Sequence, residues 1–205
     1  TGSLAAAFAL KDYLDATGED GTVIYFGCPA EEGAGSKQFM ARAGLFDDVD
    51  FVYTWHPSTI NGVESVQSNA IMGANFRFKG RTSHAAASPH LGRSALDACE
   101  LMNVGVNYLR EHVTSDVRIH YTITEGGTAP NIVPDKACVW YYIRAMRREA
   151  VEDVYARLVK VAKGAAMMTE TEVEIEFLGG CYNTMANMVL SELVHKNMGA
   201  VPQDP

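Results

Sequence analysis

The sequence has no long hydrophobic run and no excess of positive charge. Its longest unbroken apolar stretch, Leu4–Leu10, is far shorter than the roughly 20 residues that a membrane-spanning helix needs. Only 17 Lys and Arg residues stand against 25 Asp and Glu, a formal net charge of −8. Because a protein that binds nucleic acid must neutralise phosphates with cationic side chains, we expect neither a membrane nor a nucleic-acid partner.

Cysteine pairs and several familiar catalytic motifs are also missing. No GxSxG elbow, Walker A loop or GxGxxG after a strand occurs. The four cysteines are widely scattered with no CxxC pair, which predicts buried free thiols in a reducing, cytoplasmic compartment; they are Cys28, Cys99, Cys138 and Cys181. With 47% hydrophobic and 20% charged residues among 205, the composition is that of an ordinary globular protein of one large or two small domains.

Residues 1–64 alternate between predicted helices and predicted strands. A helix capped by Ser3 and ended by Gly18 precedes an apolar, β-branched run, Thr22–Phe26. A second helix, ended by Gly44, precedes another apolar run, Val49–Trp55. This alternation is typical of βαβ units with a parallel sheet, which bind ligands beyond the carboxyl ends of the strands. The sequence therefore predicts a partial α/β domain, with candidate sites in the loops after both apolar runs.

From Ser65 the pattern changes to alternating strands that flank two amphipathic helices. The order over residues 65–178 is βαββαβ, which predicts an inserted ferredoxin-like domain. In that topology the first and last strands are antiparallel neighbours, so Arg77 and Lys79 should lie across from the acidic row at Glu172, Glu174 and Glu176. The strand from Val117 to Thr124 should lie at a sheet edge, where an unpaired strand invites association with another chain.

Residues 179–205 are predicted to return to the first domain. They carry one more helix, ended by Gly199, with four apolar residues expected to be buried: Val189, Leu190, Leu193 and Val194. Together with residues 1–64, this segment would belong to a larger α/β domain.

Two adjacent carboxylates, Glu31 and Glu32, stand in a Gly-rich loop after the first apolar run. Their mutual repulsion is relieved if a cation lies between them, with one carboxylate as ligand and the other as proton acceptor. His56 follows the second apolar run, and histidine and carboxylate are both zinc ligands. An ordinary solvated acidic loop before a helix is the alternative, and the residues alone leave both interpretations open.

The inserted domain offers three further candidates. His84, in a turn after its first strand, could donate a hydrogen bond to a substrate carbonyl or be an ordinary turn histidine. Arg144 could clamp a carboxylate or be an exposed charge at the rim. Asn131 could be an oriented amide donor or a turn former.

Four motifs together resemble the M20 family of metallopeptidases and amidohydrolases. They are residues 27–33 (GCPAEEG), the Trp55-His56-Pro57 turn, residues 80–86 (GRTSHAA) and residues 88–98 (SPHLGRSALDA). Members of that family pair a catalytic α/β domain with an inserted lid domain that also dimerises. The resemblance therefore implies a hydrolase that cleaves an amide bond of an N-acyl amino acid or an aroyl-glutamate.

The resemblance also implies a role for each candidate residue. Glu31 would be the general base, and Glu32 and His56 would bind a divalent metal, zinc first, with manganese or cobalt as alternatives. His84 would reach the active site of the neighbouring subunit and polarise the scissile carbonyl. Asn131 and Arg144 would hold polar groups of the small-molecule amide substrate, with Arg144 on its carboxylate.

The resemblance places the remaining metal ligands outside residues 1–205. Two ligands hold a catalytic zinc poorly, since such sites use three protein ligands, so we expect the chain alone to be inactive. A non-catalytic lid or dimerisation module is the alternative function. In either case, association through the lid domain with a second copy or a related subunit is expected.

Overall fold

The computed structural model describes residues 2–31 and 35–201. The chain divides into two compact units, with the boundary between Gly62 and Val63. The first unit contains two helices, and the second contains a four-stranded sheet with three helices among its described residues.

The helices of the first unit end at the predicted glycines. Helix α1 (Gly2–Thr17) is followed by Gly18, which has φ 70° and donates its N–H to the Leu14 carbonyl at 2.9 Å. Helix α2 (Ser36–Arg42) is followed closely by Gly44 at φ 75°. Positive φ is a conformation that glycine adopts without steric cost. The predicted cap at Ser3 is wrong, because α1 already begins at Gly2.

The two predicted strands of the first unit are not present. Residues 22–26 and 49–55 have neither helical nor strand hydrogen bonding, and their large side chains are about half exposed, Tyr25 and Trp55 among them. A parallel strand is stabilised by neighbours on both edges and layers on both faces. Within residues 2–31 and 35–62 no such neighbour pairs with either run, so the apolar pattern does not become a sheet.

The second unit confirms the predicted βαββαβ order. Its strands are β1 (Ala70–Lys79), β2 (Arg118–Glu125), β3 (Lys136–Ala145) and β4 (Glu172–Cys181). They form one sheet in the order β2-β3-β1-β4, with antiparallel pairing throughout. Strand β2 is therefore at an edge, and β1 and β4 are antiparallel neighbours, as the sequence predicts.

Two helices, α3 (Ala95–Leu109) and α4 (Arg148–Thr169), cover one face of this sheet and form its core. Helix α3 begins at the predicted cap, where the Ser94 hydroxyl accepts the Asp97 N–H at 3.1 Å. Alternate residues of β1 and β3 point into the core, and the largest fully buried side chains include Phe76, Phe78, Met102, Tyr141, Ile143 and Leu158.

The predicted charge row between β1 and β4 is also present. Arg77 lies opposite Glu174 in the register and reaches diagonally to Glu176 at 2.7 Å. Lys79 lies opposite Glu172 and contacts Glu174 at 3.2 Å. Because all these side chains are exposed, each pair contributes little to stability but favours this register.

A fifth helix, α5 (Met188–Ala200), forms with Asn187 as its cap, whose side-chain oxygen accepts the Leu190 N–H at 3.1 Å. The prediction that its apolar residues are buried is wrong: Val189 is 77% exposed and Leu193 is 49% exposed. The helix also runs one residue past Gly199. Its apolar stripe is therefore formed correctly but is not covered by any described part of the second unit.

The cysteines are all free, as predicted, but not all buried. Cys99 and Cys138 lie in the interior of the second unit, Cys28 is half-buried, and Cys181 is exposed. Among the described helices, none combines the length and apolarity required to span a bilayer.

Candidate functional site

The loop that carries His84 leaves β1 through a close backbone contact. Arg81 and Arg93 exchange two backbone hydrogen bonds of 2.8 Å, which fold residues 81–93 back on themselves. A Cβ atom at Gly80 would lie 2.0 Å from the Arg93 carbonyl oxygen. Glycine is therefore required at position 80 for the loop to close.

The structure brings His84 and Asn131 together. The Ala85 N–H donates to the Asn131 carbonyl at 2.9 Å, and His84 and Ile132 form an isolated antiparallel bridge. The loop after β1 and the segment before β3 thus form one backbone unit at the same end of the sheet.

The His84 ring is exposed but anchored. Its Nδ1 accepts the backbone N–H of Ala86 at 3.2 Å and that of Ala87 at 3.1 Å. Because both partners are donors, Nδ1 is the unprotonated nitrogen of the neutral ring, a tautomer inferred from the hydrogen bonds. The Nε2–H is then the group that the ring offers to a ligand.

Arg144 lies on the other face of the sheet, the face that α3 and α4 leave uncovered. Its guanidinium carbon is 5.8 Å from the centre of the Tyr142 ring, and the Tyr142 and Trp140 rings are 5.1 Å apart. Gly73 on β1 makes room for them, since a Cβ there would lie 2.7 Å from the Tyr142 ring. The Arg144 Nε and Trp140 Nε1 atoms are buried without a hydrogen-bond partner in the described structure.

Positive charge accumulates around Arg144. His120 on β2 lies opposite Tyr142 in the register. Burial lowers the pKa of His120, and the nearby charges of Arg144 and Arg110 lower it further. A neutral His120 beside the guanidinium leaves this face suited to an anionic group such as a carboxylate.

The structure does not bring Arg144 close to His84 and Asn131. In the β1–β3 register, Lys79 lies opposite Lys136 at one end and Ala70 opposite Ala145 at the other. His84 and Asn131 belong to the first end, and Arg144 to the second. A ten-residue strand at about 3.3 Å per residue separates the ends by about 30 Å, so one small substrate cannot touch both groups of a single chain.

Glu31 lies in an irregular and strained loop, and Glu32 lies outside the described residues. Ala30, just before Glu31, has φ 54°, a left-handed conformation that costs a non-glycine residue roughly 1–2 kcal/mol. The Ala30 carbonyl accepts the Gly35 N–H at 2.9 Å. Such strain is common at functional sites, and the exposed Glu31 side chain is free of the regular alternation of a strand.

His56 is exposed, and its Nδ1 lies 2.8 Å from the Pro57 carbonyl oxygen. A carbonyl only accepts, so Nδ1 carries the proton and Nε2 is left with a lone pair. Metal-binding histidines commonly donate their other N–H to a backbone carbonyl in this way, so His56 fits one ligand position. No group of three His, Cys, Asp or Glu residues capable of holding a metal ion occurs within residues 2–31 and 35–201.

Sequence reasoning did not identify Ala86, Ala87 or Trp140 as part of the candidate sites. The two alanines act through backbone N–H groups, for which no side-chain pattern exists. Trp140 shares a strand face with Arg144 by the two-residue period, so its position next to the guanidinium was available from the sequence.

Fold and loop geometry together define a class, the lid domains of two-domain hydrolases that associate through a sheet edge. Residues 66–168 match the peptidase dimerisation domain of the M20 family. The chain belongs to the M20 family, which confirms the resemblance carried by its four motifs.

Particular relatives narrow the comparison. The chain is 47% identical over 197 residues to a p-aminobenzoyl-glutamate hydrolase subunit of Escherichia coli, a match that covers 96% of this chain and 41% of that protein. It is 32% identical to Xaa-Arg dipeptidase of Mus musculus over 95% of this chain and 46% of the relative. The crystal structure of an aminobenzoyl-glutamate utilization protein from Klebsiella pneumoniae superposes with a TM-score of 0.65 at 25% identity, over 85% of this chain and 46% of that one. The chain thus spans less than half the length of these relatives.

Proposed function

We propose that this chain is part of a metal-dependent amidohydrolase that cleaves the amide bond of an N-acyl or aroyl amino acid, with aminobenzoyl-glutamate as the first substrate to test. The observation that carries the proposal is the joined His84–Asn131 loop pair, which presents an exposed, oriented imidazole from a peptidase dimerisation domain. The similar proteins are named as a hydrolase and a dipeptidase, which supports the reaction type more than the substrate.

In this proposal residues 65–178 are a lid inserted into an α/β domain to which residues 1–64 and 179–205 belong. Glu32 and His56 hold the metal together with ligands from outside these residues, and zinc, manganese or cobalt would supply a Lewis acid there. Glu31 accepts a proton from the attacking water. Its position in a strained loop next to Glu32 lets neighbouring carboxylates approach one centre, which a regular strand would prevent.

The lid residues act on opposite ends of the substrate. The His84 Nε2–H, with Asn131 beside it, donates to the scissile carbonyl oxygen as negative charge develops. Arg144 binds the substrate carboxylate. Since about 30 Å separates these groups within one lid, they serve two different active sites of a dimer, and each site takes His84 and Asn131 from one chain and Arg144 from the other.

The dimer forms through β2, whose outer edge is unpaired in the described sheet. Next to it, α3 exposes an apolar stripe of Leu101, Val104 and Tyr108. An edge strand flanked by an apolar helix face suits a two-fold partner with the same surface. The partner is a second copy or a related subunit.

Mixing two inactive variants of the longer protein tests the shared site. His84→Ala and Arg144→Ala should each lose hydrolysis of p-aminobenzoyl-glutamate. In a re-equilibrated equal mixture, half of the dimers are mixed, and one site in each mixed dimer has an intact His84 and an intact Arg144. Activity should therefore return to about a quarter of the unmodified level.

No recovery with this pair of variants would contradict the shared site. A mixture of His84→Ala with Glu31→Ala then measures which chain supplies Glu31. Glu31→Ala alone should abolish turnover while the metal content stays nearly unchanged. A longer protein with neither bound metal nor amide hydrolysis would favour the alternative, a non-catalytic lid or dimerisation module.

A further inference from the structure

We propose that the backbone amides of Ala86 and Ala87 are positioning groups that fix His84 as its Nε2–H tautomer, so that the ring acts as a hydrogen-bond donor and not as a base. The use of this donor in catalysis rests on the proposed function, but the tautomer is a property of the chain itself.

The contacts allow one assignment of the ring. The Ala86 and Ala87 nitrogens lie 3.2 and 3.1 Å from Nδ1, and both N–H groups point at it. A proton on Nδ1 would face two further protons and leave both amides without an acceptor, which costs free energy even at a partly exposed site. Turning the ring over would place a carbon there, with the same loss.

The turn that supplies these amides is itself held from both sides. The His84 carbonyl accepts the Ser88 N–H at 3.0 Å, and the Ser83 hydroxyl donates to the Ser88 carbonyl. The Ala85 N–H is fixed on the Asn131 carbonyl at 2.9 Å. Small side chains at positions 85–87 let the backbone close tightly under the imidazole. The amides are therefore in place before any ligand arrives, as a preorganised donor requires.

The tautomer determines what His84 can do. With its Nδ1 lone pair occupied and a proton on Nε2, the neutral ring can neither bind a metal ion through Nε2 nor take a proton from water there. It can donate to a carbonyl oxygen or to the oxyanion that develops from it. This is the opposite of His56, whose Nδ1 faces a carbonyl and whose Nε2 keeps its lone pair.

The tautomer can be read directly by nitrogen-15 NMR of histidine side chains in the unmodified chain, above the pH at which imidazoles are protonated. We expect a single His84 species with protonated Nε2 and unprotonated Nδ1, assigned by its disappearance in His84→Gln. His195, exposed on α5, gives the reference for a solvated ring. A protonated Nδ1, or a tautomer mixture at His84 like that of the reference, would overturn the proposal.

A matched pair of variants tests the amides. Ala87→Pro removes one N–H donor, whereas Ala87→Gly keeps it and removes only the methyl group. Loss of one net hydrogen bond should raise the ratio of Nδ1–H to Nε2–H forms about five-fold in the proline variant alone. An unchanged ratio in folded Ala87→Pro would show that this amide does not fix the ring. If that variant does not fold, the measurement on the unmodified chain still decides.

This measurement separates the inference from the proposed function. A fixed Nε2–H tautomer in a longer protein without amidase activity would leave the positioning role intact and contradict the hydrolase. Normal hydrolysis with a mobile tautomer would do the reverse.

Discussion

Asn103 shows how one polar residue can be accommodated in the interior of the second unit. It is 6% exposed, and its side-chain oxygen accepts the hydroxyl of Tyr141, which is 1% exposed. A buried polar atom costs free energy unless it is hydrogen-bonded. The pair therefore ties α3 to the middle of β3, and each side chain depends on the other.

Removing only the hydroxyl should destabilise the fold. In Tyr141→Phe the Asn103 oxygen loses its donor, so we expect the free energy of unfolding to fall by about 1–3 kcal/mol in urea titrations. Tyr142→Phe is the control, because this neighbour points to the other face and is partly exposed, and it should change stability by less than about 0.5 kcal/mol. Equal effects of the two variants would contradict the role of the buried pair.

Stability should also fall at alkaline pH because of Cys99. Burial raises the pKa of the Cys99 thiol to about 12, whereas a thiol in the unfolded chain ionises near 8.5. A raised pKa stabilises the fold fully below the unfolded value and loses that contribution as pH rises toward the folded one. Between pH 9 and 10 this group alone should lower the free energy of unfolding by up to about 1.4 kcal/mol.

The slope of stability against pH checks this assignment. Cys99→Ala should remove that part of the slope, although it also lowers stability at neutral pH by leaving a small cavity. Cys181→Ala, at an exposed thiol, should leave the slope unchanged. The comparison is restricted to pH below about 10 because burial also raises the pKa of Tyr141. Parallel curves for all three proteins would exclude Cys99 as the source.

At the scale of elements, periodicity predicted what neighbouring elements could complete. The βαββαβ order, the Ser94 cap and the edge position of β2 follow from alternation and from a topology with few alternatives. The runs at 22–26 and 49–55 are just as apolar, but a strand exists only through its hydrogen-bonded neighbours. The α5 stripe formed as a helix for the same local reasons and remained exposed because burial depends on a partner.

The candidate site divides along the same line. The β1–β3 register places the loop after Lys79 beside the segment before Lys136, so the proximity of His84 to Asn131 follows from the predicted topology. The orientation of the His84 ring does not, because it depends on the turn that presents two backbone amides. The separation of Arg144 from His84 also follows from the register, once strand lengths are known.

Two glycines in facing helices should respond to alanine in opposite ways. In α4, a Cβ at Gly164 would meet no atom within 4 Å, whereas in α3 a Cβ at Gly105 would lie 2.8 Å from a Val161 methyl group. Gly164→Ala should therefore stabilise the protein by about 0.5–1 kcal/mol through the better helix propensity of alanine.

Gly105→Ala should be neutral or destabilising, since the contact between α3 and α4 must open to admit the methyl group. Thermal and urea unfolding of both variants measure the difference. A Gly105→Ala variant as stable as Gly164→Ala would mean that the helices are less tightly packed at Val161 than the structure shows.

For the whole molecule, the two edges of the sheet are not equivalent. Strand β4 carries Glu172, Glu174 and Glu176 and has a register irregularity where it passes Gly73 and Ala74. Like charges and irregular backbone are devices that keep an edge strand from pairing with a copy of itself. Strand β2 has no acidic residue before its last position, so self-association through β2 is the arrangement that the charges permit.

A lysine at the β2 edge should therefore break the dimer of the longer protein or of this chain, while a lysine at the β4 edge should not. Ile123 on β2 is 41% exposed and Leu178 on β4 is 45% exposed, so Ile123→Lys and Leu178→Lys change similar side chains at opposite edges. Sedimentation velocity over a concentration series should show the dissociation constant raised at least about ten-fold for Ile123→Lys, the equivalent of about 1.4 kcal/mol, because each β2 edge would present an ammonium group to its partner. A dimer weakened only by Leu178→Lys would place the interface at β4, and His84 would then no longer be carried toward a second active site by the pairing of β2.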